Sequence, residues 1–224
     1  MMFATACREA LGVPALAMAA TFVAFGAAVQ AAGLGWGWAL ASALLVYGMP
    51  GQMVLLGALG APGGALPAVA GAVAANARFL PMAVALAPWL GGGRRRFLAL
   101  PFIAVTPWAM AMRRLPGLPT EQRLSWFLGF GLTSWVVAGL ATMLGYAIAP
   151  RLEIWMLAAL LFVNPLYFGV ILAGDAVQPL VRRAVLLGVV AAPLTFVLPT
   201  AWALLGAGVV GGTLAFLWGE LGRR

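Results

Sequence analysis

The sequence predicts an all-α integral membrane protein, a polytopic bundle of hydrophobic helices. Of its 224 residues, 64% are hydrophobic and 8% are charged, whereas an ordinary soluble domain carries about 25% charged residues. Between residues 10 and 93 the only charged side chain is Arg78. Because a membrane-spanning helix needs about 20 apolar residues, this stretch of 84 residues is long enough for at least three crossings.

Charged residues and clusters of glycine and proline mark the ends of the predicted helices. The predicted apolar segments are 13–32, 38–59, 65–90, 97–112, 124–150, 154–174 and 184–219, with a turn at 60–64. Segment 97–112 is short and contains two prolines, which predicts a tilted short span or a segment that enters the membrane and returns. Segment 184–219 would form a helix of about 54 Å, too long for a hydrocarbon core of about 30 Å. We therefore predict two short spans there, with Pro193 and Pro199 in the first, and about seven crossings in total, within a range of six to eight.

The two halves of the chain resemble each other at a constant offset of 117 residues. Residues 38–46 align with residues 155–163, and residues 71–79 align with residues 188–196. Duplicated bundles are common in secondary transporters. We therefore predict a single membrane domain over residues 1–224, with repeat one at about 13–91, a connecting segment at 92–123, repeat two at about 124–207 and a terminal helix at about 204–221.

Two predicted helices carry residues that interrupt a helix, at corresponding places in the two repeats. The first contains Gly48-Met49-Pro50-Gly51-Gln52, and its repeat partner contains Asn164-Pro165. Proline removes a backbone donor and glycine permits unwinding. Freed backbone groups at membrane depth are tolerated where they line a cavity or face protein, so these breaks predict a substrate site. Two proline kinks in packed helices are the alternative.

Arg78 is the second candidate, beside Asn76 in the third predicted helix, which contains no acidic residue. An arginine at the centre of a bilayer costs about 2.5–3.5 kcal/mol on insertion scales. A water-filled cavity or a partner offsets that cost, and the guanidinium group suits a carboxylate ligand. Arg78 is therefore predicted to contact the substrate. The alternative is that its side chain extends to the membrane interface.

The composition argues against several other functions. All 13 basic residues are arginines that lie mainly between hydrophobic runs, where they act as topology determinants, so no nucleic-acid partner is predicted. The chain has one cysteine and no histidine, which argues against a disulfide framework, a metal site and histidine-based catalysis. No enzyme activity and no cofactor are predicted, because no acidic pair lies within a span and no phosphate-binding loop is present.

Three stretches resemble the AzlC family, the large subunits of branched-chain amino acid exporters. The run from Ser42 to Gln52 (SALLVYGMPGQ) resembles the family's "S-x-x-x-x-aromatic-G-A-x-Q" region. Asn76-Ala77-Arg78-Phe79 resembles its "N/D-x-R" signature, and residues 162–168 (FVNPLYF) resemble its "G-F-x-x-P-A-L-F" helix. The resemblance extends in order and spacing over nearly the whole chain. It implies a small hydrophobic partner subunit of the AzlD type.

The chain departs from the family pattern in the segment between its halves. The family usually carries a "T-D-E" element, where this sequence reads Thr106-Pro107-Trp108. If those acids couple protons, coupling here takes another form. The sequence thus predicts a transporter subunit in the bilayer of the bacterial inner membrane that exports small amino acids. Branched-chain amino acids are the expected substrates. The alternatives are a non-transporting scaffold or assembly subunit, and a transporter of another small carboxylate-bearing solute.

Overall fold

The computed structural model describes the backbone of residues 2–58, 65–197 and 200–221, without the side chains of residues 164, 200–205 and 221. This part of the chain forms helices and no strand, which confirms the all-α prediction. The α-helices are α1 (Met2–Ala10), α2 (Val13–Ala31), α3 (Trp36–Leu45), α4 (Met49–Ala58), α5 (Ala65–Asn76), α6 (Phe79–Leu86), α7 (Val105–Arg114), α8 (Thr120–Ile148), α9 (Ile154–Asp175), α10 (Pro179–Ala191), α11 (Leu194–Val197) and α12 (Thr200–Leu221). Short 3₁₀ helices cover Ala87–Leu90, Arg94–Phe102, Leu115–Gly117 and Ala149–Arg151.

Four stretches of the described chain are long and apolar enough to cross a membrane. They are α2, α8 with its 3₁₀ extension to Arg151, α9, and the stretch Pro179–Val197 that contains α10 and α11. The pair α5 and α6, with the 3₁₀ turn to Leu90, is bent by 41° and counts as a fifth if it forms one broken span. These helices confirm a polytopic membrane protein. The total of seven crossings stays a prediction.

Three predicted segments differ from the structure. The third predicted helix is divided at a turn over Ala77 and Arg78, so it is not one straight span. Segment 97–112 consists of a 3₁₀ helix, two extended residues and α7, each helix too short to span the bilayer alone. Segment 184–219 also differs, because a turn at Ala192 and Pro193 lies inside the stretch predicted as its first span. The predicted turn at 60–64, and Pro199 of the predicted first span, lie outside the described residues.

The chain folds as two compact units. The first contains Met1–Gln52 and Arg78–Asn164, and the second contains Met53–Ala77 and Pro165–Arg224. The chain passes from one unit to the other after Gln52, after Ala77 and after Asn164. The predicted internal duplication and its boundaries stay a prediction.

In the first unit, α8 packs against α2 with almost no space between their backbones. A Cβ atom at Gly26 would collide with the carbonyl oxygen of Thr142, and one at Gly145 would collide with the carbonyl oxygen of Val23. Only glycine permits this approach, and close approach maximises dispersion contact where lipid gives no hydrophobic drive between helices. This contact is the centre of the first unit.

Side chains of α7 and α8 also form hydrogen bonds with α1 and with the segment after α2. The indole nitrogen of Trp126 donates to Oε2 of Glu9 at 2.9 Å, and Arg114 donates to Oε1 of the same carboxylate at 3.0 Å. The hydroxyl of Tyr146 donates to the carbonyl of Leu34 at 3.0 Å, just after α2. These hydrogen bonds connect α8 to α1 and to the segment that follows α2.

The second unit is built around α12, which packs against α10, α11 and α5. A Cβ atom at Gly211 of α12 would lie 3.2 Å from the carbonyl oxygen of Leu187 in α10, so these two helices also lie close together. Much of the surface of α10 is nevertheless exposed, including Val189 and Val190.

Candidate functional site

The predicted break in the second helix is present and lies between α3 and α4. Val46, Tyr47 and Gly48 separate the two helices. Tyr47 has a φ angle of 43°, which is the left-handed region that a bulky residue rarely adopts. The glycine-rich run that predicted the break is partly helical, since α4 begins at Met49 with Pro50 in its first turn, where a missing N–H costs nothing.

Tertiary contacts hold Tyr47 in this conformation. Its ring stacks on Phe22 of α2 with 6.2 Å between ring centroids. Its hydroxyl donates to the sulfur of Met18 at 3.9 Å, and the side chain is buried. A left-handed conformation costs roughly 1–2 kcal/mol for a residue with a Cβ, and burial of an aromatic ring offsets that amount. The break is therefore stabilised by packing against α2.

A tryptophan of α8 donates a hydrogen bond to a backbone carbonyl near the end of α3. The indole nitrogen of Trp135 donates to the carbonyl oxygen of Leu44 at 2.9 Å, one residue before α3 ends. Trp135 also packs edge-on against Phe102, with 6.1 Å between ring centroids. Because a freed carbonyl inside a membrane needs a donor, Trp135 permits α3 to stop at this depth.

The first turn of α4 contains three of the predicted site residues, and a fourth, Gly48, immediately precedes it. The backbone N–H of Gln52 donates to the carbonyl of Gly48 at 2.9 Å, and Pro50 and Gly51 lie between them. Gln52 is completely buried, yet neither atom of its side-chain amide has a hydrogen-bond partner in the described chain. Each unsatisfied buried polar group costs about 1–3 kcal/mol, so this amide is a strong candidate for ligand contact.

Arg78 lies at the second break, in the turn between α5 and α6, rather than within a continuous helix as predicted. Its guanidinium carbon lies 5.5 Å from the centroid of the Phe79 ring. Its Nε is buried and has no hydrogen-bond partner among the described residues. Asn76 ends α5 and belongs to the second unit, whereas Arg78 belongs to the first. No hydrogen bond joins Arg78 to Gln52 in the part of the chain that the structure describes.

The predicted break at Asn164-Pro165 is wrong. Helix α9 continues through Pro165 from Ile154 to Asp175. A proline removes a single N–H, here the one that would bond the carbonyl of Leu161, and a membrane helix tolerates that loss. The side chain of Asn164 lies outside the described residues. The predicted pair of matching breaks is therefore reduced to one, between α3 and α4.

Tyr47 and Trp135 stabilise the break between α3 and α4, and neither was predicted as a site residue. Trp108 is in α7, at the place of the missing acidic pair, and its indole nitrogen is buried with no partner in the described chain. Thr106 and Pro107 beside it are also buried. In the sequence Trp135 resembles an ordinary interior aromatic, whereas Tyr47 occupies the aromatic position of the family pattern and Trp108 the place of its missing acids. Within the described ranges no three His, Cys, Asp or Glu side chains lie close enough to hold a metal ion.

A comparison with known families matches residues 14–152 to the family described as AzlC protein. No curated protein and no solved structure matches the chain. The matched region includes the break between α3 and α4, Gln52 and Arg78, and it ends before α9. The resemblance over residues 162–168 therefore has no support from this comparison. Since the match covers more than half of the sequence, the chain belongs to the AzlC family of membrane proteins, which is associated with branched-chain amino acid transport.

Proposed function

We propose that this chain is the translocating subunit of an exporter of branched-chain amino acids in the bacterial inner membrane. The buried amide of Gln52 is the observation that carries the proposal. It lies in the first turn of a helix that follows a break, and neither of its polar atoms is satisfied in the described chain. Transporters commonly place substrate groups at such broken helices.

Gln52 has the chemistry that a zwitterion requires. Its Nε2 donates hydrogen bonds to a carboxylate, and its Oε1 accepts one from an ammonium group. The unwound residues before it, Tyr47 and Gly48, add backbone groups, and Pro50 and Gly51 lie beside it in the first turn of α4. An apolar amino acid side chain needs no polar contact, which suits a chain as hydrophobic as this one.

Arg78 is proposed to hold the substrate carboxylate, with Asn76 as a neighbouring contact. The unpaired Nε and the planar guanidinium group are suited to a bidentate contact with a carboxylate. The stacking of Arg78 on Phe79 leaves the edge of the guanidinium group available for hydrogen bonds. Asn164 and Pro165 are proposed as further contacts, through the carbonyl that Pro165 leaves free in α9.

A small membrane partner of the AzlD type is part of the proposal. Between α9 and α10 the second unit carries an open apolar groove of about 650 Å³, lined by Leu172, Val185 and Val189 among others. In α9, α10 and α12 the glycines Gly169, Gly188 and Gly208 have nothing within 4 Å of an added Cβ. Small residues on an exposed helix face permit another helix to pack closely, so we place the partner on this face.

Gln52→Leu tests the site because stability and transport should change in opposite directions. Removing an unsatisfied buried amide should stabilise the fold by about 1–3 kcal/mol, while export of labelled leucine should fall at least tenfold. Gln122→Leu is the matched control, since Gln122 is exposed in the first turn of α8. Export is measured in cells at equal membrane abundance. Unchanged export by Gln52→Leu would sink the proposed site.

Arg78 is tested with a pair of substitutions. Arg78→Lys keeps the charge but loses the planar fork, so export should fall severalfold, and Arg78→Gln should nearly abolish it. Membrane insertion should not decrease, because removing a charge makes a helix easier to insert. Arg151→Gln, at an exposed position, is the control. If Arg78→Gln exports at the parent rate, Arg78 is a structural residue.

The same assays separate the alternative functions. A scaffold or assembly subunit would show no substrate export in liposomes that contain the chain and its partner, whatever the solute. A transporter of another carboxylate-bearing solute would fail with leucine, isoleucine and valine but would export a different acid, with the same dependence on Gln52 and Arg78.

A further inference from the structure

An apolar groove in the first unit lies apart from the proposed substrate site. Its volume is about 200 Å³. One wall is formed by α6 and the 3₁₀ turn that follows it, and the other by the 3₁₀ helix Arg94–Phe102. Val84, Phe97 and Leu100 of these walls are more than half exposed. In a bilayer, the groove therefore opens toward lipid rather than toward the core of the unit.

Arg96 is the one polar side chain that lines the groove in the described structure. It is exposed and stacks on its neighbour, with its guanidinium carbon 5.4 Å from the centroid of the Phe97 ring. Arg94 and Arg95 precede it, and none of the three is paired with a carboxylate in the described part of the chain. The groove therefore has an apolar lining with one positive charge, and two further arginines precede that charge in the chain.

Nearby side chains place these arginines at the membrane interface. Arg123 stacks on Trp89, with its guanidinium carbon 5.1 Å from the ring centroid, and its Nε donates to the carbonyl of Leu118 at 2.9 Å. Tryptophan beside arginine is typical of the headgroup level. The three arginines thus lie where phospholipid phosphates lie, and the groove runs from there along apolar surface.

We propose that this groove binds an anionic phospholipid, with an acyl chain against Val84 and Leu100 and the phosphate on Arg96. Clusters of arginine at the interface attract anionic lipids, and each charge near the surface adds to the attraction. An amino acid fits less well, because the groove offers no carboxylate to its ammonium group. The proposal does not depend on the transport function, since it concerns a different surface.

Photo-crosslinking of the full chain in lipid nanodiscs tests the site. Two lipid probes carry the same photoreactive acyl chain, one with a phosphatidylglycerol headgroup and one with phosphatidylcholine. We expect the phosphatidylglycerol probe to label residues 83–103 at least threefold more than the other probe. Arg96→Gln should lower that preference, and Arg96→Lys should keep most of it, because the attraction is electrostatic.

Two further variants complete the design. Ala87→Phe should fill the groove and reduce labelling by both probes, whereas Arg151→Gln, away from the groove, should leave the labelling unchanged. Equal labelling by the two probes in the parent chain would overturn the proposal. So would an unchanged preference in Arg96→Gln, or displacement of the probe by excess leucine, which would assign the groove to an amino acid.

Discussion

Helices of similar apolar character have very different surroundings in the two regions of this molecule. In the most apolar stretches of α2 and α8, 67% and 50% of the residues are buried, against 0% in α9 and 6% in α10. In a membrane, apolar residues face lipid as readily as they face protein, so hydrophobicity does not separate these cases. Glycine contacts do separate them. An added Cβ atom would collide with a neighbouring backbone at Gly26 and Gly145, whereas one at Gly169 or Gly188 would meet nothing within 4 Å.

The largest expected effect is a loss of stability at the contact between α2 and α8. It tests whether this contact is the centre of the first unit. Gly145→Ala would place a methyl group on the carbonyl of Val23. Overpacking costs about 1–3 kcal/mol and sometimes more, and a backbone obstacle cannot move aside, so we expect a loss of about 3 kcal/mol or more. Thermal unfolding in detergent measures it.

Gly169→Ala in α9 is the matched control, because an added Cβ there meets nothing within 4 Å. Alanine in a helix is favoured over glycine by roughly 0.5–1 kcal/mol, so this variant should be slightly more stable than the parent. Equal losses in both variants would show that the two regions are packed alike, and the comparison would fail.

The second prediction compares tryptophans of α8 and α9. Trp135→Phe removes the donor to the carbonyl of Leu44, while the phenyl ring keeps most of the packing. A buried carbonyl left without a partner costs about 1–3 kcal/mol. Trp155→Phe removes a hydrogen bond to Glu153 on an exposed surface, where water replaces it, so its effect should stay below about 0.5 kcal/mol. Chemical denaturation of both variants decides the point.

The third and smallest prediction concerns the face that α10 leaves uncovered. Val189→Trp changes an exposed residue of the open groove, so the stability of the chain alone should change by less than about 0.5 kcal/mol. Recovery of a co-expressed small partner should fall about tenfold, which is only 1.4 kcal/mol of binding. Val136→Trp on an exposed position of α8 is the control. Equal recovery with both variants would remove the partner from this face.

Sequence patterns predicted the helix limits well where the polarity of the chain changes. Helix α2 was predicted at 13–32 and runs Val13–Ala31, and α9 was predicted at 154–174 and runs Ile154–Asp175. These ends follow from glycine, proline and charged residues, whose effect is local. The match also supports the family resemblance through residue 152.

Breaks inside helices were harder to predict because they depend on distant partners. Helix α3 ends where Trp135, 91 residues away, supplies a donor, and Tyr47 is held by residues of α2. Pro165 was predicted to interrupt its helix, but α9 continues through this proline. Arg78 was recognised as unusual from its isolation in the sequence, although its position in a turn was not predicted.

The carboxylate of Glu9 has a consequence for how the protein is made. Its two partners, Arg114 and Trp126, follow it by 105 and 117 residues. At roughly 5–20 residues per second, a ribosome needs about 6–23 seconds to synthesise that interval. Through that time the carboxylate of Glu9 lacks both of these partners. Helix α1 is therefore synthesised well before it acquires these two contacts, and the contact with Trp126 forms only after α8 has been made.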